Sequence, residues 1–325
     1  MKKNFVIYTS LSLQSYEEYG IGIPMRNDRV TIPFENAQRK FGITETDQDK
    51  YHNLSKDDLK LCHTKEYIKE VKEDPDSVVL KTYELVRSDG SFNRYDPKSA
   101  TRPLSDFIDK AMVHVNGTYL SCRRALDNQF CYHLGGGMHH AMSDRPGGFC
   151  MFNDMVLSIR KLQSQKIIKK AMIIDMDAHK GDGTAEISFG DETIKTYSIH
   201  MKDGWPLDGD KTSKSFTPSD LDVGVLLSDD YLKKFKESVS EFIESVGEVD
   251  LCIVVHGADV YEYDELESAN QIQLSLDDVL KRDSFIFQLL REKNIPQAWV
   301  MAGGYGRRTH EVFWQFLDYS LAHVD

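Results

Sequence analysis

The amino-acid sequence predicts an α/β fold in which an open, mostly parallel sheet carries helices on both faces. Apolar runs of strand length recur at residues 5–8, 171–176, 194–199, 251–255 and 298–301. Amphipathic segments of helical length lie among them, at residues 104–126, 153–163, 232–246, 276–290 and 310–321. Apolar strands that alternate with helices are typical of a parallel sheet covered on both faces.

No fixed-period repeat and no Pro-rich or Gly/Ser-rich linker divides the chain, so we expect a single domain, residues 1–325. Residues 27–103 are polar and rich in turn-forming residues, with helical character near residues 55–71. We expect this segment to pack at the edge of the sheet and to supply surface around the pocket.

Composition and charge argue against several classes of protein. A content of 40% hydrophobic and 28% charged residues is that of a globular protein rather than a disordered one. The excess of 52 acidic over 40 basic residues argues against direct nucleic-acid binding. The N-terminal apolar run is too short for a signal peptide or a membrane span. The five cysteines form no CxxC pair, which predicts reduced, mostly buried thiols in a cytoplasmic protein; they are Cys62, Cys122, Cys131, Cys150 and Cys252.

An unusual group of polar residues closes the apolar run at residues 171–176. Asp175, Asp177, His179 and Asp182 fall close together, and burying them without a cation or dedicated partners would cost much free energy. Asp177 and His179 are two residues apart, so in extended backbone both side chains project to the same side. This spacing suits two ligands of one metal ion; solvated loop charges are the competing interpretation.

A catalytic zinc ion usually has three protein ligands and one open position, so a third donor is needed. Asp259 is the natural candidate, because it follows the apolar run at residues 251–255 and Gly257 permits a tight turn there. His256 lies at the end of that run and is expected to be a structural histidine rather than a ligand. The Asp-His-Asp set would bind one zinc ion per chain, which would acidify water and polarise a carbonyl.

Two further segments predict groups that handle protons. His139 and His140 follow three glycines, which suggests backbone close to a ligand and imidazoles placed to move protons. Asp175 and Asp182 could each accept a hydrogen bond from one imidazole and fix its tautomer. Tyr305 follows two glycines after the last apolar run and could donate to a developing oxyanion. Ordinary surface histidines and a packing role for the tyrosine are the competing interpretations.

Taken together, these segments closely resemble the histone deacetylase superfamily, whose zinc-dependent deacylases share the arginase-like α/β fold. The resemblance spans roughly residues 118–306. It implies the family's roles for the residues introduced above: zinc ligands Asp177, His179 and Asp259, tandem catalytic histidines His139 and His140 with their respective partners Asp175 and Asp182, and the carbonyl-polarising Tyr305. Of the two histidines, the second is then the general base.

The resemblance implies two further sites. One is a narrow tunnel for the acyl-lysine side chain, with the substrate-binding residues Gly148, Phe149, Trp205 and Gly304. The other is a structural potassium ion beneath the zinc, held by Asp175, Ser198 and the backbone carbonyls of Asp177, His179 and Ile199.

Within the superfamily, residues 143–150, residues 175–179 and the short chain are most similar to the class IV branch. That branch contains members that favour long fatty acyl chains over acetyl. Asp182 stands where class IV enzymes tend to carry Asn, and Trp205 occupies a position whose residue type differs between branches. These departures leave the tunnel width and the acyl preference open.

The sequence therefore predicts zinc-dependent hydrolysis of Nε-acyl-lysine in proteins or peptides. In the hypothesised mechanism, zinc and Tyr305 polarise the amide carbonyl while His140 takes a proton from the attacking water, and a histidine of the pair protonates the leaving amine. Small acylated amines such as acetylpolyamines are a second class of candidate substrate. A two-metal ureohydrolase is disfavoured, because it needs an Asp-x-Asp motif that the chain lacks after Asp259. A catalytically silent module that binds acyl-lysine is disfavoured as well, because each expected catalytic position holds a chemically competent residue.

Overall fold

A parallel β-sheet organises the chain in the computed structural model, which describes residues 2–324. Within this part of the chain the sheet has seven strands in the order β1-β2-β7-β6-β3-β4-β5. Every neighbouring pair is parallel. In chain order the strands are β1 Val6–Ile7, β2 Phe130–His133, β3 Ala171–Asp175, β4 Ile194–Met201, β5 Leu221–Val225, β6 Leu251–His256 and β7 Gln297–Met301. The α/β fold with an open parallel sheet is therefore confirmed.

Helices cover both faces of the sheet, as predicted. In chain order they are α1 Asp28–Phe41, α2 Lys65–Glu73, α3 Pro75–Thr82, α4 Asp106–Asn128, α5 Asp154–Ser164, α6 Asp182–Ser188, α7 Tyr231–Val246, α8 Leu276–Glu292 and α9 Thr309–His323. Helices α2 to α5 pack in one hydrophobic cluster, and α1, α7, α8 and α9 pack in another. Alternate residues of β3 enter the two clusters, since Ile173 belongs to the first and Ile174 to the second. Burial on both faces explains why the central strands are apolar throughout.

Two strands and three helices were not predicted, and each lacks a local signal. Strand β2 follows α4 directly, and the helix ends at Gln129 in the left-handed conformation. Glycine is the residue that usually marks such a helix end in a sequence, and it is absent here. Strand β5 lies at the sheet edge, and Asp222 and Gly224 interrupt its apolar pattern. Helix α1 contains Pro33 and many polar residues. Helices α3 and α6 are short, with eight and seven residues.

The segment of residues 27–103 has the predicted role around the pocket but more helix than expected. It contains α1, α2 and α3, as well as short 3-10 helices at Gln48–His52 and Lys56–Leu61. Asn27, Arg29 and Tyr83 from this segment line a cavity that His139, His140 and Asp177 also line. The expected surface around the pocket is therefore present.

Two further expectations concern the thiols and the membrane. All five cysteines are unpaired and buried, as predicted. Across residues 2–324, none of the helices combines the length and the apolar character that crossing a bilayer requires.

Candidate active site

Three neighbouring strands, β3, β6 and β7, deliver the predicted metal ligands and Tyr305 beyond their carboxyl ends. The backbone N–H of Met176 donates to the carbonyl of Val255 at 3.1 Å, and the paired strands end there. The expectation that Asp177 and His179 lie in extended backbone is wrong, since residues 177–179 form a bend beyond β3. Beyond this point both residues lie against the segment that follows β6, since Gly257 closely approaches Asp177 and Asp259 contacts His179.

The three predicted metal ligands come together just beyond the ends of β3 and β6. His179 Nδ1 lies 3.2 Å from Asp177 Oδ1 and 3.0 Å from Asp259 Oδ2. One donor atom from each of the three residues lies within 4.8 Å of the others, and all three side chains are buried. Two carboxylates and one imidazole form a donor set that zinc accepts in catalytic sites. The residues present therefore fit a single divalent ion.

Backbone amides hold the two carboxylates in place. Ala178 N–H donates to Asp259 Oδ1 at 2.9 Å, and Gly303 N–H donates to Asp177 Oδ2 at 2.6 Å. A side chain on Gly303 would collide with both carboxylates, so this position requires glycine. Outer hydrogen bonds of this kind orient metal ligands and limit their motion.

The charges of the ligand set perturb one another strongly. Burial and the negative charge of Asp177 raise the pKa of Asp259 to about 6. Burial disfavours the charged imidazole of His179, but hydrogen bonds to Asp177 and Asp259 outweigh burial and raise the pKa to about 10. Two buried carboxylates thus demand positive charge at this point, which either a proton or a divalent cation supplies.

The two adjacent histidines pair with the two predicted aspartates. His139 Nδ1 lies 2.7 Å from Asp175 Oδ2, and His140 Nδ1 lies 2.7 Å from Asp182 Oδ1. The imidazole centroids are 3.9 Å apart. Burial lowers the pKa of His140 to about 4, and the charge of His139 adds to that effect. With Nδ1 bound to a carboxylate in each pair, Nε2 is the nitrogen left for chemistry.

A cavity of about 130 Å³ lies against these groups. Its lining includes His139, His140, Gly148, Phe149 and Tyr305. The ring centroids of the phenylalanine and the tyrosine are 5.8 Å apart. The structure thus brings catalytic and tunnel candidates to one space.

The other two tunnel candidates stand at its margin. The Trp205 ring centroid lies 4.6 Å from that of His140 and 5.7 Å from that of His179. Gly303 and Tyr305, on either side of Gly304, line the cavity. A side chain at position 304 would collide with Ala258 and Thr309. The Gly304 backbone therefore faces the helix α9 side, and a role in substrate binding stays a prediction.

Comparison with known proteins identifies the family. The sequence matches the histone deacetylase domain over residues 23–318, which is most of the chain. The chain belongs to the histone deacetylase family. The family consists of metal-dependent amidohydrolases, and its reaction uses zinc.

Relatives share moderate sequence identity with the chain. Histone deacetylase 2 of Arabidopsis thaliana is 32% identical over 199 residues, 61% of this chain and 50% of that protein. The acetoin utilization protein AcuC of Staphylococcus aureus is 27% identical over 289 residues, 82% of this chain and 67% of that protein. The chain thus spans half the length of the plant relative and about two thirds of the bacterial one.

Solved structures share the fold at low sequence identity. The HDA15 HD domain superposes with a TM-score of 0.70 at 19% identity and covers 98% of this chain and 90% of that chain. The acetylpolyamine aminohydrolase of Burkholderia pseudomallei gives 0.68 at 17% identity and covers 98% of both chains. These likenesses confirm the arginase-like α/β architecture of the deacetylase family.

The side chains for which the family resemblance implies a potassium site lie on adjacent strands. Asp175 of β3 and Ser198 of β4 are register partners in adjacent strands. Asp175 Oδ1 accepts the backbone N–H of Asp177 at 3.1 Å, and the Ser198 hydroxyl lies 2.9 Å from His200 Nδ1. Ile199 follows on the same strand. A potassium ion on these residues stays a prediction.

Sequence reasoning missed three buried residues beside the candidate active site. Asp154 accepts the backbone N–H groups of Gly137 at 3.0 Å and Met138 at 2.8 Å, which fixes the turn before the histidine pair. Its place in the first turn of α5 looks like an ordinary helix-start acid, so no signal marked it. Arg29 lines the cavity, and Arg282 lies on α8 with no exposed surface.

His256 has the structural role that the sequence predicts. Its Nδ1 lies 2.9 Å from the Tyr132 hydroxyl and its Nε2 lies 2.8 Å from Asp283 Oδ2. Both ring nitrogens are therefore occupied, and neither is available to a metal ion.

Proposed function

We propose that this protein hydrolyses the amide bond of Nε-acyl-lysine in proteins or peptides, with one zinc ion on Asp177, His179 and Asp259. The observation that carries the proposal is the convergence of three ligand side chains with two His-Asp pairs and a tyrosine on one cavity. Membership of the histone deacetylase family supports the same reaction class.

When bound, zinc supplies a Lewis acid that polarises the acyl carbonyl and makes water more acidic. The residues of the chain position the proton transfers around it. His140 receives a proton from the attacking water at Nε2, while Asp182 holds Nδ1 and stabilises the imidazolium that forms. The Asp182 carboxylate therefore acts through the histidine rather than on the substrate.

The remaining groups handle the oxyanion and the leaving group. Tyr305 donates a hydrogen bond to the carbonyl oxygen as negative charge develops there. A histidine of the His139 and His140 pair returns a proton to the departing amine, which leaves free lysine and a carboxylate. Gly148, Phe149 and Trp205 enclose the aliphatic stem of the substrate, and their aromatic and backbone surfaces exclude water from it.

The single ligand cluster favours one metal ion over a pair. Within residues 2–324, the one group of three or more metal-binding side chains close enough to share an ion is Asp177, His179 and Asp259. A two-metal ureohydrolase needs a second carboxylate set about 3.5–4 Å from the first ion. We therefore favour one zinc per chain, with a structural potassium ion beneath it on Asp175 and Ser198.

Small acylated amines are the second candidate substrates. The likeness to a solved acetylpolyamine aminohydrolase over 98% of both chains is the observation that favours them. The same metal and proton-transfer groups would serve either substrate, because the scissile bond is an amide in both. The resemblance to the class IV branch adds long fatty acyl chains to the candidate acyl groups, because some members of that branch favour them over acetyl.

We also propose a single deacylase domain, residues 1–325, that works in the cytoplasm. One sheet runs from Val6 to Met301, which supports one domain. The five unpaired cysteines suit a reducing compartment. The net charge of −12 is unsuited to direct nucleic-acid binding.

The test is a panel of lysine peptides acylated with chains from acetyl to myristoyl, assayed beside acetylspermidine with zinc-loaded protein. We expect turnover of at least one peptide, inhibition by a hydroxamate chelator and no turnover by D259N. Turnover of acetylspermidine alone would replace the peptide proposal with the small-amine one. No turnover of any substrate by protein shown to hold zinc would contradict both.

A further inference from the structure

Arg282 is a charged side chain at the centre of the fold. It lies on α8 with 0% of its surface exposed, and it is one of the largest fully buried side chains in the described part of the chain. Burying a guanidinium costs several kcal/mol unless its donors are matched. Its partners therefore indicate what the arginine is for.

The guanidinium bridges the two chain segments that carry the proposed metal ligands. Nη1 donates to the carbonyl of Met176 at 2.9 Å, and Nη2 donates to the carbonyl of Gly257 at 3.0 Å. Met176 directly precedes Asp177, and Gly257 stands two residues before Asp259. One planar group thus contacts the backbone beside ligands of both segments.

The local backbone explains why such a bridge is needed. The paired part of strands β3 and β6 ends at the hydrogen bond from Met176 N–H to the Val255 carbonyl. The carbonyls of Met176 and Gly257 lie beyond this ladder, and a buried carbonyl without a donor destabilises the fold. Arg282 donates to both carbonyls and so satisfies them. Gly257 allows the close approach, since a side chain there would collide with Asp177.

A second set of buried groups fixes the arginine itself. Nε donates to Asp283 Oδ1 at 2.8 Å, and Asp283 Oδ2 lies 2.8 Å from His256 Nε2. The Tyr132 hydroxyl then lies 2.9 Å from His256 Nδ1. This series of hydrogen bonds links β2, β6 and α8, so it fixes the orientation of the guanidinium plane relative to the sheet.

We propose that Arg282 is a positioning residue for the metal site, which sets the separation of the segments bearing Asp177, His179 and Asp259. The proposal rests on the proposed zinc site. A lysine cannot replace the arginine, because a single ammonium lacks the planar fork that reaches two carbonyls at once. Replacing a group that orients metal ligands weakens metal binding.

The test compares wild type with R282K, which keeps the charge, and with K281M, a matched control at the exposed neighbouring position. Zinc affinity is measured by competition with a chromogenic chelator, and the cobalt-substituted proteins are compared by visible absorption. We expect R282K to bind zinc about 10- to 100-fold more weakly and to show an altered cobalt spectrum. K281M should match wild type in both measurements.

A folded R282K with wild-type zinc affinity and cobalt spectrum would overturn the inference. If R282K does not fold, D283A decides instead, since it removes the acceptor that orients Nε but leaves the arginine in place. D283A should weaken zinc binding in the same direction, and an unchanged affinity would contradict the proposal. Failure of wild type itself to bind zinc would contradict the proposed function, which separates the two outcomes.

Discussion

The surroundings of Tyr305 decide its chemistry at the scale of one residue. Its side chain is buried, and burial together with the nearby Asp177 and Asp259 raises the pKa of the phenol well above its usual value of 10. The phenol therefore keeps its proton at neutral pH and remains a donor. A donor aimed at developing negative charge stabilises an oxyanion far more than it stabilises a neutral carbonyl.

Replacing Tyr305 by Phe should therefore lower kcat about 10²-fold or more, the scale of one lost oxyanion donor. The backbone hydrogen bond from Tyr305 N–H to Asp264 at 2.7 Å does not involve the phenol, so the loop should keep its position. Steady-state kinetics on the best peptide and zinc content by elemental analysis provide the measurements. Full activity in Y305F with zinc bound would show that the hydroxyl has no such role.

Individual site residues were the most predictable part of this protein. Asp177, His179 and Asp259 are polar groups at the ends of apolar strands, and their chemistry is legible without coordinates. The role of Asp154 could not be predicted from the sequence, because its partners are the backbone amides of Gly137 and Met138. Hydrogen bonds to backbone leave no trace in the identity of the partner residue.

At the scale of elements, buried histidines join segments that are distant in sequence. His63 precedes α2, and its Nδ1 lies 2.9 Å from the Met142 carbonyl. The backbone N–H of Asn153, at the start of α5, donates to His63 Nε2 at 3.1 Å. One nitrogen donates and the other accepts, which only the neutral imidazole can do. Burial accordingly lowers the pKa of His63 from 6.5 to about 4.

This pKa shift predicts a pH-dependent stability. Between pH 6.5 and 4 the unfolded chain binds a proton at His63 that the folded chain does not, so the free energy of unfolding falls as the pH is lowered through that range. One such group contributes at most about 1.4 kcal/mol per pH unit. H63Q should therefore lose less stability than wild type between pH 7 and pH 5, as measured by urea unfolding.

The exposed His52 offers a matched control, and H52Q should follow the wild-type pH dependence. An H63Q variant whose free energy of unfolding declined as steeply as that of wild type would contradict the assignment. Desolvation also lowers the pKa of the half-buried His114 and of the buried His200 to about 4, so the H63Q variant should retain part of the dependence.

The sequence of helix α8 contained a sign of its buried ion pair that the hydrophobic pattern alone does not show. Val279, Arg282, Asp283, Ile286 and Leu290 are buried. They recur with the spacing of one helical face, so two charged residues stand at core positions of an amphipathic helix. That conflict was the available signal for a buried ion pair. Strand β5 gave no comparable signal, because an edge strand needs only partial burial.

At the scale of the whole molecule, the site depends on strand order rather than on sequence order. Strands β7, β6 and β3 are neighbours in the sheet although β4 and β5 separate β3 from β6 in the chain. The fold class follows from alternating strands and helices, and the general rule that ligands bind at the carboxyl ends of parallel strands locates the site. Strand order follows from packing between distant elements, so local patterns do not determine it.

The sheet therefore serves as the frame on which the proposed metal site is assembled. The loops after β3, β6 and β7 meet because their strands are adjacent, and the glycines at positions 257 and 303 let them approach closely. The surrounding histidines, tyrosine and cavity then act on a substrate held at that point. Metal binding is the claim on which the other roles depend.

Elemental analysis of the purified protein tests this claim most directly. Wild type should hold one zinc per chain, and D259N should lose it because one of three ligands is gone. D264N provides the matched control, since Asp264 is a nearby partly buried carboxylate that bonds to the backbone of Tyr305 and Leu266 rather than to the ligand set. D264N should retain its zinc. A wild-type protein without a divalent ion, or with two per chain, would contradict the account.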